Sequence, residues 1–195
     1  MNKRLEVWWE GSAKGVAEQC LNHIDERISA LFDYYENVEQ SIKQDHQLVQ
    51  DFYGDARSID RHIKRDVKQP FLKIREKFFV ICLRDYVFDL AFKMGQFSNI
   101  NQIVEQLIDE YKEIRQDLLD LQKRFAEKDD TLDLKVIEEM TELIGDIHEL
   151  DKKCVWVVET RMGLEEERDL ILDEMEGFIC KNTQKLKEAE EEADM

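Results

Sequence analysis

From Ala17 onward, apolar side chains return at alternating intervals of four and three residues: Leu21, Ile24, Ile28, Leu31, Tyr35, Val38 and Ile42. An α-helix turns once in about 3.6 residues, so this rhythm lays them along one stripe, the a/d seam of a helix packed lengthwise on another. The pattern breaks at Asp45, resumes with Val49, Phe52, Ala56, Ile59 and Ile63, and ends before Pro70. Ser12 suits the N-cap, and Gly54 marks a point where the helix either kinks or turns an exposed face outward. One proline and seven glycines in 195 residues are too few for a β-sandwich or barrel. Those folds need turn residues every ~8–12 positions.

Three further helical patterns follow. Pro70 suits a first helical turn, and Phe71, Ile74, Phe78, Ile81, Phe88 and Phe92 line one face, which Phe79, Cys82, Leu83, Tyr86 and Leu90 widen. A helix so nearly apolar all round is expected to be buried on several sides. Gly95 reads as its stop, and Ser98 or Asn99 as the cap of a third helix with the seam Ile100, Val104, Leu107, Tyr111, Ile114, Leu118, Leu121 and Phe125. A polar stop at Lys128–Thr131 precedes Val136, Met140, Leu143, Ile147, Leu150, Cys154 and Val157. This seam continues through Leu164, Ile171, Met175 and Phe178, with Gly163 the favoured kink.

These readings predict a single all-α domain over 1–195. Its parts are an N-terminal arm (1–11), a long helix (12–68), a buried helix (70–95), a helix (98–128), a long helix (131–189) and an acidic tail (190–195). At ~1.5 Å per residue the outer helices would reach about 85 Å and the middle two about half that. The expected architecture is an elongated antiparallel helical bundle, with two long outer and two shorter middle helices. Four helices would pack at one end, and a two-helix coiled-coil stalk holding both termini would form the other.

Charge divides along the chain. There are 45 acids against 28 bases, a net charge of -17. Residues 57–77 nonetheless carry eight bases against three acids, and residues 127–151 ten acids against two bases, so the two segments are expected to meet. Along the stalk, Ile171, Leu172, Met175, Phe178 and Ile179 present more apolar surface than one partner helix covers. Ile171, Met175 and Phe178 are therefore candidate partner contacts, as are Arg61, Lys64 and Arg65 in the basic stretch. Trp8 and Trp9 either staple the arm to the bundle or anchor a partner.

Known chemistries find little footing here. Cys20, Cys82, Cys154 and Cys180 are far apart without a CxxC pair, which points to core residues in a reducing cytoplasm. No apolar run follows Lys3 and Arg4, so no secretory signal is expected. Phe78–Phe92 holds 12 apolar residues in 15 but is broken by Arg84, Asp85 and Asp89, and is shorter than the ~20 residues of a membrane span. None of His23, His46, His62 and His148 has an acid three residues earlier, as a di-iron bundle requires. No cofactor or metal site is expected.

One acidic pattern, Glu139-x-x-Glu142 with Glu166-x-x-Asp169, is similar to the ExxE…ExxD signature of all-α nucleotide pyrophosphohydrolases. That resemblance implies four carboxylates from two antiparallel helices holding magnesium. It needs a hairpin near Arg161–Gly163, where the apolar seam runs straight on. The favoured expectation is a cytoplasmic, non-enzymatic adaptor or regulatory subunit that binds protein partners as a homodimer or within a hetero-complex. Direct membrane and nucleic-acid contact are disfavoured. An acidic inhibitor that mimics nucleic acid is the alternative, and a magnesium-dependent hydrolase ranks below both.

Overall fold

The computed structural model describes residues 13–127 and 134–195. Trp8, Trp9, Ser12 and the Lys128–Thr131 stop lie outside the described residues. Three helices account for nearly everything described: α1 (Ala13–Arg65), α2 (Pro70–Glu127) and α3 (Leu134–Asp194). No strand occurs among the described residues, in agreement with the all-α reading. No described helix is long and apolar enough to cross a membrane.

The expected pair of middle helices, 70–95 and 98–128, is one helix. Gly95 does not end it, because a glycine costs a helix interior only about 1 kcal/mol relative to alanine unless the backbone turns left-handed there. Around Gly95 a buried seam continues unbroken: Val80, Leu83, Val87, Leu90, Phe97, Val104, Ile108 and Tyr111 are all buried. Its packing outweighs the glycine. Likewise α1 passes through Gly54 and α3 through Gly163 without interruption, and α3 stays helical to Asp194 where an acidic tail was expected from 190. A methyl group added at Gly163 would meet nothing within 4 Å. Gly163→Ala is thus expected to raise stability by about 1 kcal/mol in a urea titration, through lower unfolded-state entropy. A loss of stability would show that the helix needs its glycine.

The chain forms two compact units, and each helix contributes to both. The first unit comprises the described parts of 1–37 and 100–159. Its core combines Ala17, Cys20, Ile24 and Leu31 of α1 with Leu107, Tyr111 and Leu118 of α2 and with Met140, Ile147 and Val157 of α3. Ion pairs fix the directions: Arg124 with Glu139 at 2.5 Å and Lys153 with Glu110 at 2.8 Å make α2 and α3 antiparallel. Arg115 holds Asp25 at 2.6 Å across α1 and α2. Burial pushes the Cys20 thiol up from 9.0 to about 11. At pH 8 it should therefore carry ~100-fold less thiolate than an ordinary thiol. Mass-spectrometric alkylation should label exposed Cys180 long before Cys20; equal rates would mean the first unit opens freely.

The second unit comprises residues 38–99 and 160–195, again three helical segments. Its core is Ala56, Ile63, Phe79, Val80, Leu83, Leu90 and Met175. Phe178 stacks on Phe79 at 5.5 Å and leans on Tyr86 at 5.7 Å. The two-helix stalk is therefore not formed: the first half of α2 supplies the third helix that the apolar flank of α3 required. Nor do the two charged segments meet within a unit, since 57–77 belongs to the second and 134–151 to the first. The basic turn lies instead beside the acidic end of α3, where Gln69 Nε2 donates to the Ala193 carbonyl at 3.4 Å.

Candidate functional site

The first half of α2 carries two apolar seams rather than one. The seam through Phe79, Leu83 and Leu90 faces the core of the second unit. A second seam follows the sequence Phe71, Ile74, Phe78, Ile81, Asp85, Phe88, Phe92 and Gly95, with intervals alternating three and four throughout. Every one of these residues is exposed. The six large apolar side chains are 47–71% exposed, on a helix surface where single exposed apolars are ordinary but a continuous row is not. The sequence reading took this row as buried. The structure corrects that: the helix is apolar all round, and its companions in the unit cover only one side.

Charges flank the row unevenly. Arg75, Lys77 and Arg84 border its first half, Asp89 its second, and Asp85 interrupts it. Arg75 lies over the Phe71 ring at 5.2 Å, and Arg84 reaches Asp60 at 3.8 Å. Ile74 and Phe78 also wall a groove of about 290 Å³ shared with Asn182, Lys185 and Leu186 of α3. Cys82, half-buried beside the row, has its thiol raised by burial and then by Asp85.

The predicted contact residues are placed differently. Met175 is fully buried, and Ile171 and Phe178 pack against the core, so α2 already occupies the face they were expected to offer. Arg61, Lys64 and Arg65 are exposed, with Lys64 paired to Asp60 at 3.0 Å in its own helix. As for the acidic motifs, α3 is helical through Arg161–Gly163, so the hairpin that would fold Glu139 and Glu142 onto Glu166 and Asp169 does not form. Glu139 is held by Arg124, and Arg168 binds Asp45 at 3.2 Å. Burial raises the Asp45 carboxyl despite that guanidinium.

Two polar clusters escaped the sequence reading because their members are far apart in the chain. In the first unit, Asp151 accepts from the Tyr111 hydroxyl at 2.9 Å and from His23 Nε2 at 3.0 Å, and pairs with Arg27 at 3.0 Å. Burial, then contact with Cys154 and Asp151, holds the Tyr111 phenol far above its usual range, so it stays a donor. In the second unit, His62, Glu76 and Glu190 each bring one ligand-type atom to within 4.8 Å of the others. Burial raises the Glu76 carboxyl, His62 offsets this and Glu190 adds to it. Comparison with protein-family models, curated proteins and solved structures finds no match to this chain.

Proposed function

We propose that this protein is a non-enzymatic helical interaction protein, and that its second unit self-associates through the exposed row of α2 with an antiparallel copy of itself. The observation that carries the reading is the eight-position a/d register from Phe71 to Gly95, exposed along its length. Area supports it. At the ~200 Å² that a large side chain can bury, six of them at about two-thirds exposure offer roughly 700–800 Å² per copy. Two copies reach the ~1,200–2,000 Å² of a stable interface.

Charge and size select the antiparallel register. Pairing residues whose numbers sum to 166 stacks Phe71 on Gly95, Ile74 on Phe92, Phe78 on Phe88 and Ile81 on Asp85, each an a position against a d. Large meets small at both ends. The same alignment brings Arg75 beside Asp89 of the second copy, and sets each Asp85 near the opposing Arg84. A parallel pair would instead bury Asp85 against Asp85 and leave Gly95 facing Gly95, a like-charge layer and a gap. The twofold axis passes at position 83, so Cys82 lies next to it and faces Cys82 of the second copy.

Sedimentation equilibrium tests this. The expected result is a concentration-dependent mass between 23.3 kDa and twice that value. Mild oxidation of a Cys180→Ser variant is expected to trap a Cys82–Cys82 dimer. A mass of 23.3 kDa at all concentrations up to ~100 µM, a range spanning typical specific affinities, would overturn the proposal.

A further inference from the structure

The second unit holds a separate feature that owes nothing to the row on α2. We propose that His62, Glu76 and Glu190 form a binding site for one divalent transition-metal ion, best matched by zinc, at which the ends of all three helices meet. His62 comes from the last turn of α1, Glu76 from the second turn of α2 and Glu190 from the last turns of α3. The turn at 66–69 brings the first two together. Asp66 N–H donates to the His62 carbonyl at 2.9 Å, and the Gln69 carbonyl accepts from Lys73 N–H at 3.1 Å as α2 begins.

The independent sign of a ligand is Glu76. The residue is only 5% exposed, and its Oε2 is fully buried with no hydrogen-bond partner. A buried carboxylate is ordinarily ion-paired, hydrogen-bonded or bound to a metal. The side chains that bear on Glu76 are His62 and a second acid, Glu190. Two carboxylates lying so close repel one another, a repulsion that a bound cation between them, or a proton on one of them, relieves.

The donor set also says which cation. Asp66 Oδ2 lies 3.4 Å from His62 Nδ1, the arrangement in which an outer carboxylate orients an imidazole and leaves the second ring nitrogen for an ion. Imidazole nitrogen favours zinc and its neighbours over magnesium and calcium, which take oxygen alone. Two carboxylates neutralise a doubly charged ion, and three protein ligands leave a fourth position for water.

The test is calorimetric titration of the chelator-treated 195-residue chain with zinc chloride. The expected result is one ion per chain, with affinity falling on the order of 100-fold in both Glu76→Gln and His62→Ala. His46→Ala, which removes an exposed histidine bonded to Gln50 elsewhere in the unit, is expected to bind as wild type. Circular dichroism of metal-free Glu76→Gln, expected to match wild type, separates loss of a ligand from loss of the fold. Failure to take up zinc at micromolar concentration, uptake that survives Glu76→Gln, or magnesium binding as tight as zinc would each overturn the site. None of these results depends on whether the chain self-associates.

Discussion

Phe78→Glu is expected to convert the dimer to monomer at concentrations where the wild type is associated, weakening association at least ~100-fold. Each Phe78 contributes on the order of 1.5–3 kcal/mol when its surface leaves water. The twofold axis puts two of them in one interface, and the sum of about 3 kcal/mol or more corresponds to two decades or more in Kd. The incoming carboxylate would also sit opposite Phe88 of the second copy, an apolar position with no compensating base. Phe78 is 63% exposed in the single chain, so the variant's thermal unfolding at low concentration should differ little from wild type. That contrast separates an interface residue from a core residue. Charge offers a second handle: Arg75→Glu and Asp89→Lys should each weaken the dimer, and the double variant should restore it. A Phe78→Glu protein that associates as tightly as wild type would mean that this row is not the contact.

The largest effect on folding is expected at Asp151→Ala. One carboxylate receives the Tyr111 hydroxyl, His23 Nε2 and the Arg27 guanidinium, and so joins all three helices of the first unit. Tyr111 is fully buried, so truncating its acceptor leaves its phenol only the weak Cys154 Sγ contact at 3.6 Å. A stranded buried donor costs about 1–3 kcal/mol, and the cations lose their partner as well. A total near 3 kcal/mol is expected, read as a shift of the urea midpoint at unchanged slope. Tyr111→Phe removes the donor along with its need for an acceptor and should cost nearer 1 kcal/mol. Equal losses in the two variants would assign the stability to the Tyr111–Asp151 hydrogen bond alone, with nothing from His23 or Arg27.

Much of the architecture was written in local pattern. The seams of α1 and α3 and the second half of α2 were identified residue by residue: Ala17, Ile24, Leu31, Val104, Tyr111, Leu118, Val136, Met140 and Val157 all proved buried. Pro70 was placed correctly at a helix start, because a fixed φ and a missing N–H act on the local chain alone. The break at Gly95 was misplaced for an instructive reason. Gly95 followed by Ser98 and Asn99 carries the local signature of a helix stop and a new cap, which the packing along α2 overrides. Gly95 is the point where the outward row of α2 ends while the inward row runs on beneath it.

Helical periodicity, the position of Pro70 and the absence of a sheet among the described residues therefore follow from the chain's own chemistry, since each depends on neighbours within a turn or two. Three-dimensional packing chose what local pattern left open. On a helix apolar around its whole circumference, period alone cannot say which of two equivalent seams turns inward, because both satisfy the same spacing. The answer came from which segments of α1 and α3 lie against α2, and it left Phe71, Phe78 and Phe88 outside. The same packing drew together His62, Glu76 and Glu190, and likewise His23, Tyr111 and Asp151. Residues so distant in the chain become neighbours only through the paths of three helices, which no local rule encodes.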